Sequence, residues 1–128
     1  MDINSLEYAY IGDAVYEIYI RKYFIDKGIR KVNNLQKEVK NFVSATGQSG
    51  FLNSLIENNY LTENEIDIVY RARNYKTNSK PKHTDIATYK YATGLEALIG
   101  YLYLNKKFDR INELMSIILG DEDYVCTW

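Results

Sequence analysis

Helical periodicity runs through most of the chain. Near the N-terminus Leu6, Tyr10, Ala14 and Ile18 recur every four residues, with Ile11 and Val15 beside them. That spacing keeps apolar side chains along one side of an α-helix. Asn4 followed three positions later by Glu7 reads as a capping box opening this helix, and Gly28 after Lys27 reads as its stop. A second helix is predicted over about Val32 to Val43. A third covers about Ala45 to Asn58, weakened by Gly47 and Gly50. Thr62 with Glu65 forms another capping box, starting a helix through Ile66, Val69 and Tyr70 to about Arg73. The polar stretch from Asn74 to Thr84 holds the single proline, Pro81, and reads as a loop. Asp85 is a good N-cap for a long helix to about Asn105, and a last helix spans about Asp109 to Leu119. No segment sustains period-two alternation. The pattern predicts an all-α bundle of about six helices, one domain over residues 1–128 without linker, repeat or low-complexity tract.

Composition narrows this picture. With 128 residues and 46% hydrophobic content, the chain can bury a substantial core without staples. One cysteine, Cys126, excludes an intrachain disulfide and points to a reducing compartment, so a cytoplasmic location is expected. The first residues carry Asp2 and Glu7 and lack the basic start of a signal peptide. No apolar run is long enough for a bilayer, so no membrane partner is expected. A net charge of -1 and a pI near 5.8 argue against coating nucleic acid by bulk charge, while leaving room for a local basic surface.

Against that background two acids stand out. Asp13 sits inside Tyr10-Ile11-Gly12-Asp13-Ala14-Val15-Tyr16-Glu17, and Glu96 inside Gly94-Leu95-Glu96-Ala97-Leu98-Ile99-Gly100. Each places an ionisable group among residues that favour burial, which costs free energy unless the group is paired or protonated. If the first and fifth helices cross near Gly12 and Gly100, the two acids converge. Carboxylates are hard oxygen ligands suited to Mg²⁺. Glu17, one turn beyond Asp13, could add a third oxygen donor, although Arg21 lies a further turn along as its natural ion partner. Pairing of both acids with a lysine, an arginine or one of the 13 tyrosines is the purely structural alternative. A zinc site or a histidine-based hydrolase is excluded in practice, because there is no cysteine pair and His83 is the only histidine.

The second feature is a basic segment. Arg71, Arg73, Lys76, Lys80 and Lys82 follow one another with no acid before Asp85, with Tyr75 and His83 among them. Clustered cations suit a phosphate backbone, and guanidinium groups can grip phosphate with two hydrogen bonds. Duplex RNA is read largely through shape, phosphates and 2′-hydroxyls, which requires no base-reading helix. A solvated charged loop is the alternative.

Taken together, these motifs resemble the catalytic domain of ribonuclease III. Tyr10-Ile11-Gly12-Asp13-Ala14-Val15 resembles that family's signature, and Glu96-Ala97-Leu98-Ile99-Gly100 its second acidic motif, about 80 residues later. Val43-Ser44-Ala45, Gln48 and Phe51-Leu52 are similar to its middle helices. Glu17, Tyr70 to Asn74 and Thr93 to Tyr101 add a likeness to the short bacterial subgroup called Mini-ribonuclease III. The resemblance implies a helical, homodimeric endonuclease that hydrolyses double-stranded RNA with Mg²⁺, leaving 5′-phosphate ends and short 3′ overhangs. It further implies maturation of the large-subunit (23S) ribosomal RNA precursor, with a ribosomal protein as a conceivable aid. Asp13 and Glu96 match two catalytic acids of the larger family. Where that family has two more, this chain has Ala9 and Thr93, as in the short subgroup, so a more watery metal shell is expected. No separate RNA-binding domain is expected in the sequence. A non-catalytic RNA-binding module of the same fold and a helical protein-interaction module are the rival readings.

Overall fold

A computed structural model of the chain describes residues 2–76 and 85–126. The described residues form six helices and no strand: α1 (Ser5–Asp26), α2 (Val32–Val43), α3 (Ala45–Glu57), α4 (Glu63–Arg73), α5 (Ile86–Leu104) and α6 (Phe108–Leu119). Four of the six helices start on a side-chain cap. The Asn4 side chain accepts from the Glu7 N–H while Glu7 accepts from the Asn4 N–H, and Thr62 and Glu65 repeat the exchange at α4. Asp85 accepts from both the N–H and the hydroxyl of Thr88. α6 starts at Phe108, one residue before the expected Asp109, without a side-chain cap.

α5 occupies the centre. From Ala92 to Leu102 every residue is buried except the half-buried Glu96 and Tyr101. A helix apolar on all sides belongs inside a bundle, and α1, α3, α4 and α6 all pack on it. The contact with α1 is backbone to backbone. A Cβ built on Gly12 would collide with the Glu96 carbonyl, and one on Gly100 with the Tyr8 carbonyl. The two glycines therefore set the crossing point. Gly47 has a similar reason: a Cβ there would strike the Asn41 carbonyl where α3 turns against α2. The glycine that weakens α3 as an isolated helix is required by its packing.

α1 buries Ala9, Gly12, Val15, Tyr16, Tyr19 and Ile20. The four-residue stripe that announces the helix in the sequence lies on its other side. Tyr10 is 84% exposed, Ile18 47%, and Leu6 and Ala14 are exposed as well. Only the Gly12 side can approach α5 closely, so glycine selects the inward face although both sides are apolar. α6 is tied to the start of α4 by Arg110, which reaches the buried Glu65 through two hydrogen bonds of 2.8 and 2.7 Å and also donates to the Tyr60 carbonyl. No described helix is long and apolar enough to cross a membrane.

Candidate active site

The Gly12–Gly100 crossing brings Asp13 and Glu96 together. α1 and α5 run antiparallel there, Tyr8 facing Gly100 and Gly12 facing Glu96. Asp13 is exposed and Glu96 half-buried, and their carboxyl groups share a hydrogen bond. Burial, followed by the hydrogen bond and charge of Asp13, pushes Glu96 up to about 9 from 4.5. Glu96 thus holds a proton at neutral pH and donates it toward Asp13. A buried Tyr16 sits beside this pair. Its hydroxyl donates to the Phe42 carbonyl at 2.7 Å, and burial together with the Glu96 charge raises its own pKa. Tyr16 is therefore a fixed wall of the site.

The other expected positions are accounted for in different ways. Glu17 turns to Arg21, at 2.6 Å, and is not brought into the acid pair. Ala9 is buried, and the Thr93 hydroxyl donates to the Tyr89 carbonyl of its own helix at 3.0 Å. Among the described residues no group of three or more His, Cys, Asp or Glu side chains could hold a metal ion. The donor set is thus two carboxyl groups and water. That fits a small hard cation that keeps much of its hydration, and it does not fit a closed zinc cage.

Of the basic residues, Arg71 projects from the exposed end of α4, paired with Asp67. Arg73 lies over the Tyr70 ring at 4.4 Å from its centroid, and 5.6 Å from that of Tyr91. Asn74 caps α4 through its backbone N–H, and Lys76 is exposed. Lys80, Lys82 and His83 lie outside the described residues. Arg73 and Asn74 line an open groove of about 500 Å³ with Ile86, Ala87, Lys90 and Tyr91. Lys90 escapes a reading confined to the basic segment, because it is isolated in sequence. It precedes Glu96 by six residues, about 9 Å along the α5 axis.

Gln48 is the side chain whose position the sequence conceals. It is 2% exposed, and its amide lies against Glu96. The surrounding Thr46, Gly47, Ser49 and Gly50 make it look like part of a polar stretch. The signal is its phase, since Gln48, Leu52 and Leu55 form the buried stripe of α3.

A protein-family model described as Ribonuclease III domain matches residues 6–107, a span that includes both acids and the crossing glycines. The chain belongs to the ribonuclease III domain family. Two curated relatives share its scale. The Mini-ribonuclease 3 of Clostridium tetani is 45% identical, with 92% of this chain and 78% of the relative covered. That of Staphylococcus aureus is 41% identical, with 91% and 87% covered. A crystal structure of a protein from Fusobacterium nucleatum has the same fold, with a TM-score of 0.84, 38% identity, and 93% and 95% of the two chains covered. As a family member, the chain is an endoribonuclease acting on RNA.

Proposed function

We propose that the chain is a Mg²⁺-dependent endonuclease specific for double-stranded RNA, working as a homodimer. The observation that carries this reading is the meeting of Asp13 and Glu96 at the glycine crossing, open to solvent on the Asp13 side. Asp13 and Glu96 hold the cation, directly or through water, and Glu17 can join them by leaving Arg21. When bound, the cation supplies Lewis-acid polarisation of the scissile phosphodiester and a more acidic water. The protein's own task is to keep two carboxyl groups apposed on rigid helices and to surrender the Glu96 proton. No protein general base is needed.

Arg71, Arg73, Lys76, Lys80 and Lys82 are the RNA contacts. Lys76 is free to swing toward phosphates and Arg71 can leave the exposed Asp67 to do so, whereas Arg73, over the Tyr70 ring, fixes the base of the segment. The outward side of α1 supports the dimer. Leu6, Tyr10, Ile18 and Ile25 are exposed there, and a neighbouring apolar groove of about 160 Å³ runs past Ile25, Val32 and Leu35. A twofold dimer places two acid pairs on one duplex, which gives staggered cuts with 5′-phosphate ends. The biological substrate is the large-subunit (23S) ribosomal RNA precursor in the cytoplasm, with a ribosomal protein able to present it.

The test uses purified protein with a long labelled RNA duplex and the matching single strand, in Mg²⁺ and in EDTA. Discrete fragments from the duplex alone, lost in EDTA and in Asp13→Asn, are expected. Cleavage that persists at the wild-type rate in both Asp13→Asn and Glu96→Gln refutes the reading. An intact duplex that still shifts on a gel points instead to a binding module of the same fold.

A further inference from the structure

We propose that Gln48 is a positioning residue for the acid pair, its side-chain amide holding the Glu96 carboxylate in the orientation it takes when it turns from Asp13 toward a shared cation. This rests on the reading of Asp13 and Glu96 as the cation-binding pair. Gln48 is 2% exposed, and its Nε2 is the one buried side-chain nitrogen or oxygen among the described residues that lacks a hydrogen-bond partner. A buried amide donor left unpaired is destabilising, and a leucine at this point of the Gln48–Leu52–Leu55 stripe would avoid the cost.

The packing explains what the amide is for. Leu52 lies against Gly94 of α5, and Gln48, one turn earlier on α3, meets Glu96, two residues beyond Gly94. Gly47, beside Gln48, sits flush against the Asn41 carbonyl of α2 and so fixes α3 against α2. The Gln48 amide then lies beside the Glu96 carboxyl group without being aligned into a hydrogen bond. A modest rotation of the Glu96 carboxylate, as it turns from Asp13 toward a shared cation, gives Nε2 its acceptor. Carboxylates that ligate metals are commonly steered by such a neighbouring donor.

Gln48→Met keeps the length of the side chain and removes the donor. Gln48→Asn keeps the amide and withdraws it by one methylene. The measurements are Mn²⁺ titration of RNA-free protein by calorimetry, the thermal midpoint in EDTA, and kcat and KM for duplex cleavage. Both variants should bind Mn²⁺ about tenfold to a hundredfold more weakly, with a comparable loss in kcat. KM for the duplex and the EDTA midpoint should hold, the midpoint of Gln48→Met even rising as the orphaned donor disappears. Wild-type Mn²⁺ affinity and kcat in either folded variant overturns the proposal. So does a loss of Mn²⁺ binding that only accompanies a lowered midpoint, the mark of a packing role. Asp13→Asn and Glu96→Gln are titrated alongside. If they too bind Mn²⁺ normally, the cation-site reading itself fails; if only they lose it, the Gln48 proposal alone fails.

Discussion

Glu96→Gln should make the metal-free protein more stable while abolishing cleavage. The Glu96 carboxyl is pushed up to about 9 in the folded chain, against 4.5 for an ordinary glutamate. Between these values the folded state keeps a proton that the unfolded state has released. Stability therefore falls as pH rises through this window, and the contribution is level below and above it. Each pH unit is worth about 1.4 kcal/mol, so this one group withdraws up to about 4 kcal/mol between pH 5 and pH 8. The exposed Asp13 can turn away as charge builds on Glu96, which trims the figure to about 2–4 kcal/mol. Glutamine preserves the donor toward Asp13 and never ionises, so the variant lacks this term. The assay is urea unfolding in EDTA at pH 5, 6.5 and 8. The stability of Glu96→Gln relative to wild type should increase steadily toward pH 8. Mg²⁺ should then close the gap, because it replaces the proton only in the wild-type site. A gap independent of pH, or one that widens toward acid, would refute the account of Glu96 as a carboxyl kept neutral by burial and by Asp13.

Further outcomes follow from the same geometry. Gly12→Ala drives a methyl group into the Glu96 carbonyl and should cost at least about 3 kcal/mol along with cleavage; near-wild-type thermal unfolding would disprove the close crossing. Glu65→Gln takes the buried anion from Arg110, leaving it only the exposed Glu113, and should cost about 2–4 kcal/mol at pH 7. Burial alone would raise the Glu65 carboxyl, but Arg110 and Thr62 hold it below the usual range, so the loss should shrink as pH falls through that lowered value, a trend that urea unfolding at pH 7 and pH 3 checks. The double variant Arg71→Glu, Lys76→Glu should bind duplex RNA in EDTA at least about tenfold more weakly at low salt and differ less at high salt, with stability lowered by no more than about 1 kcal/mol because the Arg71–Asp67 pair that it breaks is exposed. Ile18→Glu should yield monomers in sedimentation that stay folded, since Ile18 makes no part of the core; a persistent dimer would place the interface elsewhere.

Most of the fold was legible in the sequence because helix termini are local events. A side-chain oxygen three residues from an N–H marks four of the six starts, and Asn4, Ser44, Thr62 and Asp85 supply it without reference to the rest of the chain. The two acids were legible for a related reason, as a carboxyl group among apolar neighbours is conspicuous in one dimension. The tertiary structure decided matters that depend on which surfaces meet. It turned the Gly12 side of α1 inward and left the more regular Leu6–Tyr10–Ile18 stripe outside, because backbone contact with Gly100 was open to only one side. It brought Tyr91 of α5 within 5.6 Å of Arg73 at the end of α4. It also brought Gln48 to Glu96 from a distant polar stretch. Caps and periodicity act within a few residues, so the sequence displays them. The protonation of Glu96 and the company it keeps depend on desolvation and on side chains from three helices, and only the packed bundle brings those together.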